Sequence, residues 1–301
     1  MPGPETFVGQ RRTALFDEQR PRLLGLAYRM LGAVSEAEAV LDHSRERWSA
    51  GCLPEIQDPE TALTTLVTRV AMDRLRHLQA ERHGAGRQGY AGSWLPEPVP
   101  CRSRDDEPMS IELLAAMERL SPLERAAYVL RVALARPYPE VAAVLGRRPP
   151  AVRQLVRRAR VHLGDAATRD PTDGTRHEVL VRRLVAACRS RSVAAMLEVL
   201  GPDVVLLSDD GRSAMVRARP VVGRDRVARS VVAVLRRLPH GALAGVEAFN
   251  GATGVVLRVG QDPVCVLGVR VGKDHVQSVQ LVANPRKLTA LNARVAPTAI
   301  V

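Results

Sequence analysis

The sequence predicts a multidomain protein in which two all-α helical domains are followed by an α+β domain. Up to about residue 163, apolar residues recur at three- and four-residue spacings, which is typical of amphipathic helices. A stretch rich in Gly, Pro and charge at 84–108 divides this part in two. After a second break at 164–175, helical patterns give way to Val-rich runs that favour strands.

The first helical part is expected to hold three helices. An apolar stripe runs from Leu15 to Leu31, and Gly32 ends it. A second helix is predicted to begin after Ser35, which would be its N-cap because Glu38 follows three residues later, and to run to Trp48. Residues 59–82 form the third helix, with a proline in its first turn.

The second helical part carries a predicted helix-turn-helix. Residues 121–124 read Ser-Pro-Leu-Glu, a capping-box start for a helix. A short helix at 139–145, a turn at Gly146 and a further helix at 150–163 complete the motif.

The last helix of this motif is predicted to expose a basic face. Val152, Leu155 and Val156 lie on its buried stripe, and no acid stands between residues 144 and 163. Arginines in such a position can contact guanine in the major groove and neutralise phosphates, although a basic helix face that is merely solvated remains the alternative. The predicted DNA contacts are Arg147, Arg148, Arg153, Gln154, Arg157, Arg158 and Arg160.

The remainder of the chain has the pattern of an α+β domain. Helices are expected at 177–200 and 224–238, with an apolar run at 204–207 between them. Four Val-rich runs then predict strands of one antiparallel sheet. These runs are 246–249, 254–259, 264–271 and 276–282.

Composition argues against several classes of protein. The net charge is +12, and the four cysteines are too far apart for a Cys-x-x-Cys zinc site, so no metal or other cofactor is expected. No apolar run approaches the roughly 18 residues that cross a bilayer and no leader pattern is visible, so we expect a cytoplasmic protein with no membrane partner. Catalytic motifs are absent, and scattered polar residues such as Asp209, Asp210, His240 and Asn250 are more typical of turns, so no enzyme is expected.

Several segments together resemble the sigma-70 superfamily in its small extracytoplasmic-function branch. Residues 24–32, 63–69 and 73–76 resemble region two, and residues 120–127 and 152–155 resemble region four. Trp-Leu-Pro-Glu-Pro at 94–98 and Asn-Pro-Arg-Lys-Leu at 284–288 resemble the subgroup whose sigma regions are fused to a SnoaL-like domain.

This resemblance implies four segments with distinct roles. Region two at 10–84 would bind core RNA polymerase and open the promoter −10 element, and region four at 109–164 would contact the −35 element. A linker at 85–108 would carry the Trp-Leu-Pro-Glu-Pro motif, and a cone-shaped SnoaL-like domain at 175–291 would regulate the others.

The resemblance also assigns residues to these roles. The −10 contacts would be Arg69, Arg74, Arg76 and Arg82. The polymerase contacts would be Glu36, Glu38, Asp42 and Trp48. The interdomain regulatory contacts would be Trp94, Leu95, Pro96, Asn284, Pro285 and Leu288. Because an exposed Trp-Leu pair in a linker is costly, we expect the linker motif to dock on the tail domain, with packing of Trp94 onto region two as the alternative.

The sequence departs from the family pattern in the helix that faces polymerase. Arg45 and Glu46 stand where apolar residues are expected, which predicts weak polymerase binding. Besides a sigma factor acting on promoter DNA and core polymerase, three alternatives stay open: a degenerate paralogue without efficient initiation, a ligand-sensing DNA-binding regulator, and a SnoaL-type enzyme. Whether the tail domain holds a small apolar ligand also stays open.

Overall fold

The computed structural model describes residues 4–50, 58–84, 94–100, 109–167, 174–209, 211 and 220–292. The chain divides into two compact units. The helical unit consists of Met1–Gly84 and Met117–Gly164, and the sheet unit consists of Ala85–Ala116 and Asp165–Val301. No helix in the described ranges combines the length and apolar character that a membrane crossing needs.

The helical unit contains six α-helices within the described residues. They are α1 (Pro4–Leu31), α2 (Val34–Ser49), α3 (Pro59–Gly84), α5 (Pro122–Tyr128), α6 (Tyr138–Leu145) and α7 (Pro149–Leu163), whereas the intervening α4 (Ile111–Ala116) belongs to the sheet unit. A five-residue π-helical turn at Val129–Ala133 follows α5. Because the chain has few aromatic residues, leucine, valine and alanine fill most of the core.

The first predicted helical region and residues 117–164 of the second lie in this one unit and contact each other. The side chain of Gln79 on α3 donates a hydrogen bond to the carbonyl oxygen of Leu120, at 3.0 Å. Arg125 on α5 is fully buried, forms an ion pair with Glu118, and donates from Nε to the carbonyl oxygen of Arg29 on α1, at 3.3 Å. A buried charge needs such partners to offset its lost hydration.

Local capping signals were correct at one helix start and wrong at another. Ser121 and Glu124 form the predicted capping box at the start of α5. At α2 the prediction of Ser35 as N-cap was wrong, because the N-cap is Ala33, in an extended conformation with no side-chain cap. Gly32, which has a φ of 70°, turns the chain so that α2 begins at once and Ser35 already lies inside it.

The sheet unit contains four α-helices and six strands within the described residues. The helices are α4, α8 (Gly174–Ser190), α9 (Val193–Leu197) and α10 (Arg224–Arg237). The strands are β1 (Leu200–Asp209), β2 (Val221–Val222), β3 (Leu243–Phe249), β4 (Ala252–Val259), β5 (Asp262–Val271) and β6 (Val276–Val282).

The strands form one mixed sheet in the order β2-β1-β6-β5-β4-β3. The four Val-rich strands β3 to β6 pair antiparallel, as predicted. The expectation of a purely antiparallel sheet was incomplete, because β1 pairs with β6 in parallel and β2 pairs with β1 at the edge. The predicted helix at 177–200 was also too long, since the chain breaks at Arg191, which has a φ of 48°, and β1 begins at Leu200.

The two faces of the sheet are covered differently. Helices α8, α9 and α10 pack on one face over a large core that includes Val181, Val231 and Leu267. Leu95, Ile111 and residues after β6 cover the other face in a smaller apolar cluster. The predicted fold class, helical regions followed by an α+β domain, is confirmed.

Candidate functional site

The helix-turn-helix is formed by α6, a tight turn and α7. Gly146 ends α6 in the left-handed conformation, with a φ of 60°, which a residue with a Cβ adopts at a cost. The N–H of Arg147 closes the turn on the carbonyl oxygen of Ala142, at 2.9 Å. Pro149 occupies the first turn of α7, where its missing N–H costs no helical hydrogen bond.

Helix α7 separates its side chains into two opposite faces. Val152, Leu155, Val156, Ala159 and Leu163 are buried. All seven predicted −35 contacts are exposed, and α7 itself contains no acid that could neutralise them. The sequence-predicted residues of this group therefore lie together on and just before one helix. These residues are Arg147, Arg148, Arg153, Gln154, Arg157, Arg158 and Arg160.

Two of these arginines have neighbours within the helical unit. The guanidinium carbon of Arg153 lies 5.5 Å from the centre of the Tyr138 ring. Arg158 Nε lies 3.4 Å from Glu124 Oε1, although the Arg158 side chain stays 61% exposed. Burial of Glu124 raises the pKa of its carboxyl, but hydrogen bonds from Ser121 and the nearby positive charges outweigh this, so the pKa is lowered overall. Glu124 thus carries a negative charge beside the basic face.

The predicted −10 contacts lie on α3, in different environments. Arg69 and Arg76 are both exposed and stand about two helical turns apart on one face. Arg76 forms an exposed ion pair with Asp73. Arg74 is partly buried and donates two hydrogen bonds, of 2.6 and 2.8 Å, to the carboxylate of Glu36 on α2. Arg82 lies near the end of α3, and its side chain falls outside the described part of the chain.

The predicted polymerase contacts are only partly exposed. Glu36 is engaged by Arg74, Glu38 forms an ion pair with Arg20, and Asp42 is exposed. Trp48 is buried in the helical unit, with 4% exposure, and its Nε1 donates to the carbonyl oxygen of Arg12 at 2.8 Å. The three acids therefore lie at least partly at the surface of α2, whereas the Trp48 ring lies inside the core of the helical unit.

The two departures on α2 are accommodated at the surface. Arg45 and Glu46 are exposed, and Arg45 forms an ion pair with Asp17 on α1 at 3.1 Å. Because both charged groups reach water, the penalty for burying an unpaired ion does not apply to them in this chain.

A buried ion pair in the sheet unit holds the linker motif. Lys287 Nζ lies 2.7 Å from Asp209 Oδ2, with the two side chains 9% and 0% exposed. Lys287 also donates to the carbonyl oxygen of Leu95, and the N–H of Leu95 donates to Asp209 Oδ2 at 2.9 Å. The ammonium group lies 4.2 Å from the centre of the Trp94 ring, within range of a cation–π interaction. We call Trp94, Leu95, Asp209 and Lys287 the linker lock.

Apolar packing and backbone pairing extend the linker lock. Leu95 is fully buried in one cluster with Phe249 and Leu288. The N–H of Val99 donates to Asn250 Oδ1, and the N–H of Asn250 donates to the carbonyl oxygen of Val99, both at 2.9 Å. The structure thus brings the two predicted regulatory segments together. Their other members are Pro96, which is buried, Pro285, which is exposed, and Asn284, which caps the turn at 285–287.

Helix α4 is a second segment that packs on the sheet. Ile111 lies in the same apolar cluster as Leu95, and Glu112 Oε1 accepts a hydrogen bond of 3.0 Å from Arg270 Nε on β5. Sequence reasoning did not identify Lys287, Asn250 or the Glu112–Arg270 pair as functional contacts. Lys287 lies inside the Asn-Pro-Arg-Lys-Leu motif, which was the available signal for it.

Comparison with known proteins identifies the family. Residues 110–163 match the family model "Sigma-70, region 4". The chain is 32% identical to the ECF RNA polymerase sigma factor SigJ of Mycobacterium tuberculosis, over 91% of this chain and 92% of that protein. It is 27% identical to the probable ECF RNA polymerase sigma factor SigI of the same species, over 93% of this chain and 96% of that protein.

A solved structure agrees with this similarity. The crystal structure of the M. tuberculosis extracytoplasmic function sigma factor SigJ superposes with a TM-score of 0.69 at 30% sequence identity, covering 92% of this chain and 98% of that one. The similarity therefore extends over the helical regions and the sheet domain alike. From its sequence and its fold, this chain belongs to the extracytoplasmic-function (ECF) family of RNA polymerase sigma factors.

Proposed function

We propose that this chain directs promoter-specific transcription initiation by core RNA polymerase in the cytoplasm, under the control of its own C-terminal sheet domain. In this proposal region two spans residues 10–84, region four spans 109–164, and a SnoaL-like regulatory domain spans 175–291. The resemblance of the motifs and the membership of the ECF sigma factor family support these roles.

The observation that carries the proposal is the exposed basic face of α7, a helix that contains no acid, within a helix-turn-helix. A second helix of this kind places its side chains at base edges of the major groove, and arginine can pair with guanine through two hydrogen bonds. Arg153 and Arg157 are four residues apart and both exposed, so they share one face. We assign these two residues to sequence-dependent contact and the other basic residues of the group to phosphates.

Region two would supply the polymerase and −10 contacts. Arg69 and Arg76 offer exposed charges to the phosphates of the −10 element. Glu38 and Asp42 on α2 offer acidic groups to polymerase. The pair between Arg74 and Glu36 connects the two surfaces, so that loss of either residue would affect both.

The sheet unit would regulate initiation through the connection between the two regions. Residues 85–116 join α3 to the rest of region four, and both 94–100 and α4 within this connection pack on the sheet. The names of the −10 and −35 elements place them about 25 base pairs apart, or about 85 Å along the duplex. A compact unit of about 130 residues has a radius of gyration of about 14 Å. The unit therefore cannot contact the −10 and −35 elements at the same time until the two helical regions separate.

This distance argument gives the sheet unit a restraining role. A connection of about 32 residues spans at most about 115 Å when it is fully extended. Residues 94–100 and 111–116 are docked on the sheet and cannot extend while they stay there. The linker lock would therefore oppose the separation of the two helical regions that promoter binding requires. Release of the linker lock should then raise initiation.

We infer that the sheet domain regulates and does not catalyse. Asp209, its fully buried acid, accepts hydrogen bonds from the N–H groups of Leu95 and Gly211 and pairs with Lys287. A carboxylate whose oxygens are engaged by its own chain and buried in this way is shielded from a substrate.

In vitro transcription with purified core polymerase on genomic fragments tests the proposed function. The full-length chain should produce defined start sites, and the Arg153→Ala/Arg157→Ala variant should lose them while it still binds core polymerase in a pull-down. Polymerase binding without any transcript would indicate a degenerate paralogue. DNA binding without polymerase binding would indicate a ligand-sensing regulator, and turnover of polyketide-like substrates would indicate an enzyme.

A further inference from the structure

Helix α10 of the sheet unit is an arginine-rich amphipathic helix to which the proposed function gives no role. Its fourteen residues include five arginines and one aspartate, Asp225 in the first turn. Its apolar side packs in the main core through Val227, Val231 and Leu235, so that this side is already used for folding. The opposite side faces solvent.

Four arginines lie together on the solvent side of α10. We call Arg226, Arg229, Arg236 and Arg237 the α10 basic face, and all four are exposed in the complete chain. At about 100° per residue they fall within a sector of roughly 100° around the helix axis. At 1.5 Å per residue the first and the last are about 16 Å apart along that axis.

The α10 basic face differs in its partners from several other arginines of the helix layer, which is formed by α8, α9 and α10. On α8, Arg182 forms an ion pair with Glu178, Arg183 donates to the carbonyl oxygen of Glu198, and Arg189 donates to that of Ala244. Arg224, at the start of α10, donates to the carbonyl oxygen of Leu197. Among the described residues, no acid forms an ion pair with a member of the α10 basic face.

Four like charges so close together repel one another, and a polyanion relieves that repulsion. Duplex DNA carries one negative charge per about 1.7 Å of its axis, so a segment of about 16 Å presents close to ten phosphates. The length and charge spacing of the α10 basic face therefore suit several phosphates at once. An anionic membrane is a poorer match, because a helix that binds membranes inserts an apolar face and that of α10 is buried in the core.

We propose that the α10 basic face binds the phosphate backbone of duplex DNA, as a sequence-independent contact beyond those of regions two and four. The choice of DNA as the partner rests on the proposed function, which brings this chain to a promoter. Because the sheet domain is tethered to that complex, even a weak phosphate contact would be well populated there. The contact would strengthen promoter binding without changing which promoter is selected.

The salt dependence of DNA binding by the full-length chain tests this proposal. The probe is a fluorescent 40-base-pair duplex of random sequence, and the test variant is Arg229→Gln/Arg236→Gln. Each lost phosphate contact should lower the slope of log affinity against log salt by about 0.9, so the variant should lose about 1.8. Between about 50 and 200 mM salt, it should then lose roughly tenfold less affinity than the unmodified chain.

A matched control removes the same charge from another surface of the same unit. Lys273 and Arg286 are both exposed and lie outside the helix layer. The Lys273→Gln/Arg286→Gln variant should keep a slope within about 0.5 of the unmodified chain, since these residues make no phosphate contact in the proposal. Glutamine retains helix propensity and the substituted positions of α10 are exposed, so an unchanged melting temperature should accompany the altered slope.

Three outcomes would overturn the proposal. The first is an equal slope for the test and control variants. The second is an unchanged slope with weaker binding to core polymerase, which would assign the face to an acidic protein surface. The third is no binding of the duplex by the unmodified chain. The positions of the transcription start sites, measured in parallel on each variant, separate these outcomes from a failure of the proposed function, because the choice of promoter depends on α7 and, in this proposal, not on α10.

Discussion

Lys287 and Asp209, 78 residues apart in the sequence, form a buried ion pair that also contacts the backbone of Leu95 on both its N–H and its carbonyl group. A linker residue is thus bonded at both backbone groups by one ion pair of the sheet domain. The pair and the linker depend on each other, since removal of one partner leaves the other charge buried.

Substitution of Lys287 should therefore destabilise the sheet unit. We expect Lys287→Met to lower the free energy of unfolding by about 3 kcal/mol or more, because Asp209 would stay buried without its counter-charge. Urea unfolding can be followed by Trp94 fluorescence in a Trp48→Phe background, in which one tryptophan remains. The exposed Glu178–Arg182 pair is the control, and Glu178→Gln should cost less than about 0.5 kcal/mol. Equal urea midpoints for the Lys287→Met and Glu178→Gln variants would contradict a stabilising role of the buried ion pair.

Release of the linker lock should also be visible in transcription. The Lys287→Met protein should initiate more transcripts per polymerase than the unmodified chain, and residues 84–108 should become more sensitive to protease. Both should be measured at a temperature where the variant is still folded. A transcript yield at or below that of the unmodified chain would reject the restraining role of the sheet domain.

Arg153 and Arg157 should determine −35 specificity. A bidentate contact between arginine and guanine contributes roughly 1–3 kcal/mol, so each alanine variant should weaken specific binding by roughly tenfold or more. Footprints of the polymerase complex on an identified promoter measure this loss. Arg47→Ala, at an exposed position on α2, should leave the −35 footprint intact. Unchanged footprints for both α7 variants would remove the assignment.

Arg69 and Arg76 should support opening of the −10 element. Their alanine variants should reduce permanganate reactivity of the open complex, and the defect should grow with salt because phosphate contacts weaken as salt rises. Arg74→Ala should reduce opening as well, but it should also lower the melting temperature, since Glu36 would lose its partner. Full reactivity in the Arg69 and Arg76 variants would mean that this face of α3 is only solvated.

Apolar residues at positions 45 and 46 should strengthen polymerase binding. Both native side chains are exposed, so Arg45→Phe/Glu46→Leu adds apolar surface that a partner can bury, at about 1.5–3 kcal/mol for each fully buried side chain. The affinity for core polymerase, measured by titration, should rise by tenfold or more. Arg47→Leu on the same helix controls for a general gain in hydrophobicity. Equal or lower affinity for the double variant would show that the partner surface already accommodates the native pair.

Features set by local chemistry were predictable from the sequence. The capping box at Ser121, the proline in the first turn of α3 and the turn at Gly146 each depend on residues within a few positions of one another. The alternation of faces on α7 follows from helical geometry alone. The wrong N-cap at Ser35 shows the limit of such signals, because the backbone at Gly32 started the helix earlier than the side chains indicated.

Features that depend on distant partners were not predictable from pattern. The parallel pairing of β1 with β6 joins segments about 75 residues apart, and the valine content of both strands fits either direction. The burial of Trp48 and the capture of Arg74 by Glu36 arise from packing between helices. A side chain that a motif assigns to contact with a partner protein or DNA can thus instead be buried or paired within its own chain.

Helix α4 lies within the segment that matches region four, yet its contacts are made with β5 of the sheet unit. One piece of chain is therefore shared by the part proposed to contact DNA and by the domain proposed to regulate it. Thermodynamic linkage makes such sharing reciprocal. If binding of DNA to region four detaches Ile111 from the sheet, it changes the affinity of the sheet domain for its own ligand by some factor. Binding of that ligand then changes the affinity of region four for DNA by the same factor. A promoter would then act as an effector of the sheet domain, as well as the sheet domain acting as an effector of promoter binding.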